Sequence, residues 1–264
     1  RDHIGGGFFR YTVDPGWQIP HFEKMLYNQA GLARLYMKAA QVLDRGDYFE
    51  VARDTLEFSI RVLQERDGGF ISSLSAIDPQ DVEGGGYLWT KEALETVLDA
   101  KELSFARARW RLTDGSALEN GFLPIDHQSL GEIASQTGES IAALRQLEAR
   151  VRAKLVEARA HRRHPRDGKK LAAWNGLMLS ALAEGARVLG TPRFAVAGQH
   201  LREYVLGRLW DGKRLARAMG PNGVMGEAGL EDYAYVAAGL TDWGHYRGSE
   251  ADLRLSKRLL LEAW

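Results

Sequence analysis

The chain has 264 residues, 45% hydrophobic and 27% charged, and Lys+Arg equals Asp+Glu at 35, leaving no formal net charge. That is the composition of a globular protein with one large core or two small ones, without the basic excess of a nucleic-acid binder. It has no cysteine, which excludes disulfides, Cys-ligated zinc and thiol catalysis within the chain, and no apolar run approaches the roughly 18 residues of a membrane span.

The expectation is a cytoplasmic protein with no cofactor, no metal site, and neither nucleic acid nor membrane as partner. The chain opens on "RDHIGGG" without Met and closes on "LLLEAW" in a helical pattern, so it reads as a piece of something longer.

In chain order, "GGGFFRY" (5–11) is strand-like and a loop with Trp17 and Pro20 leads into a helix over 21–43. In 47–65, Glu50, Arg53, Asp54, Glu57, Arg61 and Gln64 form a polar stripe opposite Tyr48, Ala52, Thr55, Leu56, Ser59 and Leu63. This is the pattern of a half-exposed outer helix. "DGGFISSLSAID" (67–78) and "GGGYLWT" (84–90) precede a helix over 91–102.

Segment 103–137 is weakly patterned and reads as a partly extended insertion. It leads to a charged, solvated cover helix over 138–160. The basic run "RAHRRHPRDGKK" (159–170) reads as a solvated loop, with His161 and His164 facing water. "LAAWNGLMLSALAEGARVL" (171–189) is apolar or small nearly all round and should be buried on most sides. Helices over 192–209, 230–246 and 250–264 complete the pattern, with "DGKRLARAM" (211–219) and "GEAGLEDYAYVAAGL" between.

The recurring unit is helix pair, Gly turn, short strand pair, loop, helix. Stacked hairpins with alternately half-exposed and buried helices predict an α/α toroid. The helices from His21, Lys91, Leu171 and Leu230 would be inner, and those at 47–65 and 192–209 outer. A closed ring of six hairpins needs roughly 350 residues, so an incomplete ring is expected.

Loops entering the inner helices would gather Trp17, His21, Tyr87, Trp89, Trp174, Asn175, Asp232 and Tyr233 at one mouth. Aromatic faces stack on sugar C–H surfaces, while carboxylates and amides pair with hydroxyls. Paired carboxylates serve glycoside hydrolysis, and a His serves proton abstraction beside a carbonyl.

Each candidate has a plain alternative. His21 and Asp232 suit helix starts, and Glu23 in a first turn suits the macrodipole. Trp17 and Trp89 could be packing staples, and Asp78, Asp81 and Glu83 could be loop solubilisers. Asn175 on an apolar helix has no such excuse and should reach a partner or a pocket. No Walker loop, dinucleotide fingerprint or zincin pair is present.

Three stretches, "DHIGGGFFRYTVDPGWQIPHFEKMLYNQA", "RRHPRDGKKLAAWNGLMLSALAEGA" and "GLEDYAYVAAGL", resemble the helical part of the DUF255 family of thioredoxin-domain-containing proteins. The resemblance runs along nearly the whole chain. It implies an all-α, (α/α)6 toroid of the six-hairpin glycosidase type over 1–264, incomplete, with short β-hairpins in its loops and an insertion at about 103–160. The family's N-terminal thioredoxin-like domain would be absent from this chain.

Carried over by motif, the resemblance implies a mouth of Arg10, Tyr11, Trp17, His21, Glu23, Lys24, Asp78, Glu83, Tyr87, Trp89, Trp174, Asn175, Asp232 and Tyr233. Phe9 stands where the family usually has His, and Ala76 and Gln80 stand at two usually acidic positions. Asp167-Gly168-Lys169 replaces the usual Asp-Asp-Lys. These departures thin the carboxylate set.

The expected function is a sugar or glycan hydrolase or epimerase. His21, Asp78, Glu83 and Asp232 would be catalytic, and Arg10, Tyr11, Trp17, Glu23, Lys24, Tyr87, Trp89, Trp174, Asn175 and Tyr233 would bind substrate. The rivals are a non-catalytic module that binds a ligand or partner beside a thioredoxin-like domain, with self-association through exposed apolar flanks, and an inactive remnant.

Overall fold

The computed structural model describes residues 1–112, 118–162 and 164–263. Part of the expected insertion (113–117), Arg163 of the basic run and Trp264 of the last expected helix lie outside the described residues. The chain divides into two compact units, Arg1–Glu23 with Ser75–Pro165, and Lys24–Leu74 with Arg166–Trp264.

The second unit is a two-layer helical array. Helices α1 (Leu26–Leu43), α7 (Ala172–Leu189) and α9 (Leu230–Arg247) form the inner layer, with α7 between the other two. They are backed by α2 (Gly46–Phe58), α8 (Pro192–Tyr204) and α10 (Glu250–Glu262).

The repetition is closer in structure than in sequence. The inner helices each have 18 residues, and the outer ones each have 13. Both α2 and α8 run on into five-residue π-helical segments, Ser59–Leu63 and Val205–Leu209. The expected stripe on α2 faces as read, with Ala52, Thr55 and Leu56 buried and Glu50 exposed.

Helix α7 is buried on most of its surface, and glycine lets it approach α9. A Cβ on Gly239 would lie 2.5 Å from the Gly176 carbonyl oxygen, and one on Gly176 would meet the Tyr235 carbonyl. The expected helix start at His21 is displaced to Leu26. Residues 20–25 alternate inward and outward, with Pro20, Phe22 and Lys24 buried, which is a strand period. Pro20–His21 is β2, paired with β1 (Tyr11–Thr12), and Lys24–Met25 is β3, paired with β4 (Ser73–Leu74).

The first unit corrects three expectations. The helix from Lys91 ends at Val97 (α3), and Asp99 with Glu102 forms a capping box that starts α4 (Ala100–Trp110). The segment expected to be extended also holds α5 (Leu130–Thr137), opened by a second box of Ser129 and Glu132. Helix α6 (Ile141–Arg159) is no solvated cover, because Leu144, Leu147, Val151 and Leu155 bury one face in the core with Phe105 and Trp110.

The basic run is not all solvated either. Strand β5 (Arg166–Asp167) pairs with β4 in the second unit, while in the first unit Arg159 pairs with buried Asp2 at 2.8 and 3.0 Å. His164 packs on the Tyr87 ring, centroids 4.3 Å apart. Among the described residues no helix is long and apolar enough to cross a membrane.

Two predictions follow from these contacts. Gly176→Ala should destabilise the chain by about 1–3 kcal/mol, read as a lowered urea midpoint, because a methyl group there forces two backbones apart. The second concerns Glu102, which is buried beneath Lys154 (2.6 Å) and Arg150 (3.0 Å) and accepts the Asp99 amide. Burial alone would raise its carboxyl, but Lys154, the Asp99 amide and Arg150 outweigh burial and hold it below the ordinary carboxylate range.

A group depressed in the folded state stabilises above its unfolded pKa, about 4.3 for Glu, and loses that contribution as pH falls through the lower folded value. Glu102→Gln should therefore cost stability at pH 7. Urea titrations at descending pH should show the gap to the parent closing below about pH 4.

Candidate functional site

In the first unit the pairing of β1 with β2 sets Tyr11 opposite His21, and their rings stack at 4.8 Å with planes 14° apart. The alternation of 20–25 puts His21 and Glu23 on the face opposite Phe22, which packs into a small core with Phe9 and Tyr87. Glu23 Oε2 accepts from Arg10 Nη1 at 3.0 Å and lies 3.5 Å from His21 Nε2.

The other ring nitrogen, Nδ1, faces Glu83 Oε1 at 3.4 Å. An imidazole bracketed by two carboxylates is therefore the centre of this cluster. His21 and Glu23 are about three-quarters buried, whereas Glu83 is 58% exposed.

The loop carrying Glu83 is shaped by Asp78 and by glycine. Asp78 Oδ1 accepts from the amides of Gln80 (2.9 Å) and Val82 (3.0 Å), and Ile77 bridges to Glu83. Gly84, at φ 72, lies against the Phe22 ring, where a Cβ would come within 2.6 Å. Asp78 thus builds the turn that presents Glu83. The structure brings Arg10, Tyr11, His21, Glu23 and Glu83 together, and leaves Asp78 turned into its own loop.

Tyr87 and Trp89, expected at the mouth, lie in the core. Tyr87 packs edge-on to Phe9, with Arg159 4.9 Å over its ring, and burial pushes its phenol up and keeps it neutral. Trp89 is fully buried with Arg162 4.2 Å over its ring. Trp17 is the opposite case, 82% exposed at the tip of the β1–β2 hairpin.

The remaining candidates belong to the second unit. Lys24 is buried, with Nζ 4.3 Å from the Phe58 ring centroid. Asn175 Oδ1 accepts from the Phe70 amide at 2.9 Å, and Nδ2 donates to the carbonyls of Phe70 (3.0 Å) and Leu171 (2.9 Å). Asn175 therefore reaches a partner, not a pocket.

Asp232 closes the start of α9, with Oδ2 accepting from Gly229 at 3.0 Å and Oδ1 from Ala173 at 3.2 Å. The Tyr233 hydroxyl accepts from the Leu215 amide. Trp174 lies against Tyr27, centroids 4.9 Å apart.

Sequence reasoning missed the cation beside the core tyrosine, Arg159, and the turn-holding role of Asp14, whose carboxylate accepts from Gln18 and Ile19. The "DPG" beneath Trp17 was the available signal for the second. No group of three or more His, Cys, Asp or Glu among the described residues is arranged to hold a metal ion.

Asn175→Ala should cost about 2–3 kcal/mol by orphaning the buried N–H and carbonyl of Phe70, and thermal unfolding should show it as a Tm loss of several degrees. An unchanged Tm with lost ligand binding would instead mark a pocket residue.

No family model matches the chain. It is similar to human spermatogenesis-associated protein 20, with 34% identity over 99% of this chain and 38% of the relative. The mouse protein of that name is also 34% identical over 92% of this chain and 35% of its own length. An uncharacterized protein of Caenorhabditis elegans is 27% identical over 91% of this chain and 37% of its own. The chain thus spans less than two-fifths of the length of the curated relatives it matches.

Among solved structures, a D-mannose isomerase matches 97% of the chain and 44% of its own, with TM-score 0.56 and 10% identity. An unsaturated glucuronyl hydrolase from Bacillus sp. GL1 matches all of it and 51% of its own, with TM-score 0.53 and 12% identity. The fold is that of the α/α toroids of the six-hairpin glycosidase class.

Proposed function

We propose that this chain supplies the helical toroid of a sugar- or glycan-acting protein, working by proton transfer at His21 with Glu23 and Glu83 as its carboxylate partners. The observation that carries the reading is the bracketed imidazole, with a carboxylate oxygen 3.4–3.5 Å from each ring nitrogen. Such contacts are long for hydrogen bonds, and catalytic contacts of this kind tighten when substrate arrives.

Glu23, tied to Arg10, is the fixed partner that orients the ring. Glu83, exposed on its Asp78-built loop, can move to meet a substrate. His21 then removes a proton from the carbon beside an open-chain sugar carbonyl to give an enediol. Return of that proton to the neighbouring carbon, as the hydroxyl proton passes to the carbonyl oxygen, yields an isomer. Return to the same carbon after the enediol has turned over yields an epimer. Hydrolysis is the less favoured branch, because Asp78 and Asp232 already accept backbone amides. That D-mannose isomerase shares the fold is in keeping with proton transfer.

The motifs that resemble those of DUF255 proteins support a partner role for a thioredoxin-like domain in the whole protein. They also support the second reading, a binding module without turnover, which the same engagement of Asp78 and Asp232 favours. Exposed Leu35, Val42 and Leu43 on α1 and Leu260 and Leu261 on α10 suit self-association or such a partner.

The test is deuterium exchange from solvent into mannose, glucose and N-acetylglucosamine, followed by NMR. His21→Asn and Glu83→Gln should each lower exchange by about 10²–10⁴-fold while the Tm stays within a degree or two. Asp78→Asn should act through the loop, lowering both Tm and exchange. Sugar binding without exchange in the parent chain would favour the binding module.

A further inference from the structure

Trp17 combines two unfavourable features at one position. Its φ of 57 is left-handed, which costs a bulky L-residue about 1–2 kcal/mol, and its ring, the largest apolar side chain available, is 82% exposed. Glycine or asparagine would fill the same turn with less strain.

The turn itself is held firmly. Asp14 Oδ1 accepts from Gln18 (3.0 Å) and Ile19 (2.6 Å), Trp17 donates to the Asp14 carbonyl at 3.3 Å, and Val13 donates to Ile19 at 2.9 Å. The Ile19 and Gln18 amides keep the Asp14 carboxyl below the ordinary range, so the turn stays closed at neutral pH. Tyr11 and Val13 on the same hairpin are also exposed. The result is a stiff arm with an exposed tyrosine and valine along it and an indole at its tip.

The arm also carries the acid–base residue. The ladder runs from Tyr11–His21 through Thr12–Pro20 to Val13–Ile19 before the turn. At about 3.4 Å per residue the backbone of Trp17 stands roughly 7–10 Å beyond His21, farther than one pyranose ring reaches. A flat, exposed indole at that distance suits the C–H face of a second or third sugar.

Resting on the sugar reading above, we infer that Trp17 is a distal stacking platform, and that the ligand is an extended oligosaccharide or glycan chain instead of a free monosaccharide. The reacting residue lies at His21 and Glu83, and the chain continues along the hairpin to the indole. The exposure of the indole is then a property of the free protein that ligand binding reduces.

The experiment compares mannose, glucose and N-acetylglucosamine with mannotetraose, cellotetraose and chitotetraose by calorimetry and tryptophan fluorescence. In the parent chain at least one tetrasaccharide should bind about tenfold tighter than its monosaccharide. Trp17→Ala should erase that difference and leave monosaccharide affinity unchanged, while Trp17→Phe should keep most of it. Trp17→Gly relieves the left-handed strain, so it should hold or raise the Tm while losing the preference, which a purely structural tryptophan would not do.

Equal affinity for short and long sugars in the parent, or equal weakening of both by Trp17→Ala, overturns the platform while leaving proton transfer at His21 standing. Failure of every sugar to bind removes both. If sedimentation shows that Trp17→Ala dissolves a self-associated form with no effect on sugars, the tip is a protein contact and the inference fails.

Discussion

A single buried amide ties the two halves of the helical grammar together. Asn175, the fourth residue of α7, satisfies both backbone groups of Phe70 and the carbonyl of Leu171. Phe70 belongs to the strand segment that leaves the preceding helix pair, so the amide fixes one hairpin's exit to the next hairpin's inner helix. An apolar side chain there would leave the buried N–H and carbonyl of Phe70 unpaired, each at a cost of order 1–3 kcal/mol.

The same position does related work in the neighbouring repeats with different chemistry. Gln29, fourth in α1, donates to Met25 four residues back, as Asn175 does to Leu171. Tyr233, fourth in α9, accepts from the Leu215 amide where Asn175 accepts from Phe70. Lysines standing two residues before α1 and α7 are matched as well. Lys24 lies over Phe58, the last residue of α2, and Lys170 over Tyr204, the last of α8.

Lys170 adds ion pairs to Asp67 (2.6 Å) and Glu65 (3.1 Å), whose charges, after burial itself, help push the Tyr204 phenol up. A motif held by packing geometry can thus exchange Phe for Tyr and Gln for Asn or Tyr while the backbone demand stays constant. This explains how the repeat is weak in sequence and exact in helix length.

The helical parts that were legible are those with long periodic faces. The buried α7 and the striped α2 declare themselves through spacing alone, and the Asn on α7 announces a partner because nothing else justifies it. What was not legible depended on short signals. The capping boxes at Asp99 and Ser129 each occupy four residues inside a polar stretch, and the strand alternation of Pro20 to Met25 is hidden by the helix that follows.

Residues singled out as site candidates divide by the same logic. Asp78, Asn175, Asp232 and Tyr233 are polar groups beside chain reversals or helix entries, where backbone amides need acceptors, and the structure uses them there. A sequence cannot separate an oxygen reserved for a ligand from one reserved for the chain, because both sit at loop–helix junctions.

Once those groups are assigned to backbone, the chemistry left over is concentrated on one β-hairpin. Helices set the stiffness of a toroid, but their ends consume polar side chains in capping. A two-stranded arm instead satisfies its own backbone through the ladder and through Asp14, which frees alternate side chains on one face. Tyr11, His21 and Glu23 occupy such freed positions, with Phe22 buried between them as the anchor. Ladder pairing fixes the stacking of Tyr11 on His21 more tightly than a loop could, and the proton transfer proposed for His21 requires that precision. Glu83, on the loop that Asp78 shapes, is the more exposed of the two carboxylates. On the proposed reading, the ladder-held His21 and Glu23 stay in place while Glu83 turns to the ligand, without any helix having to move.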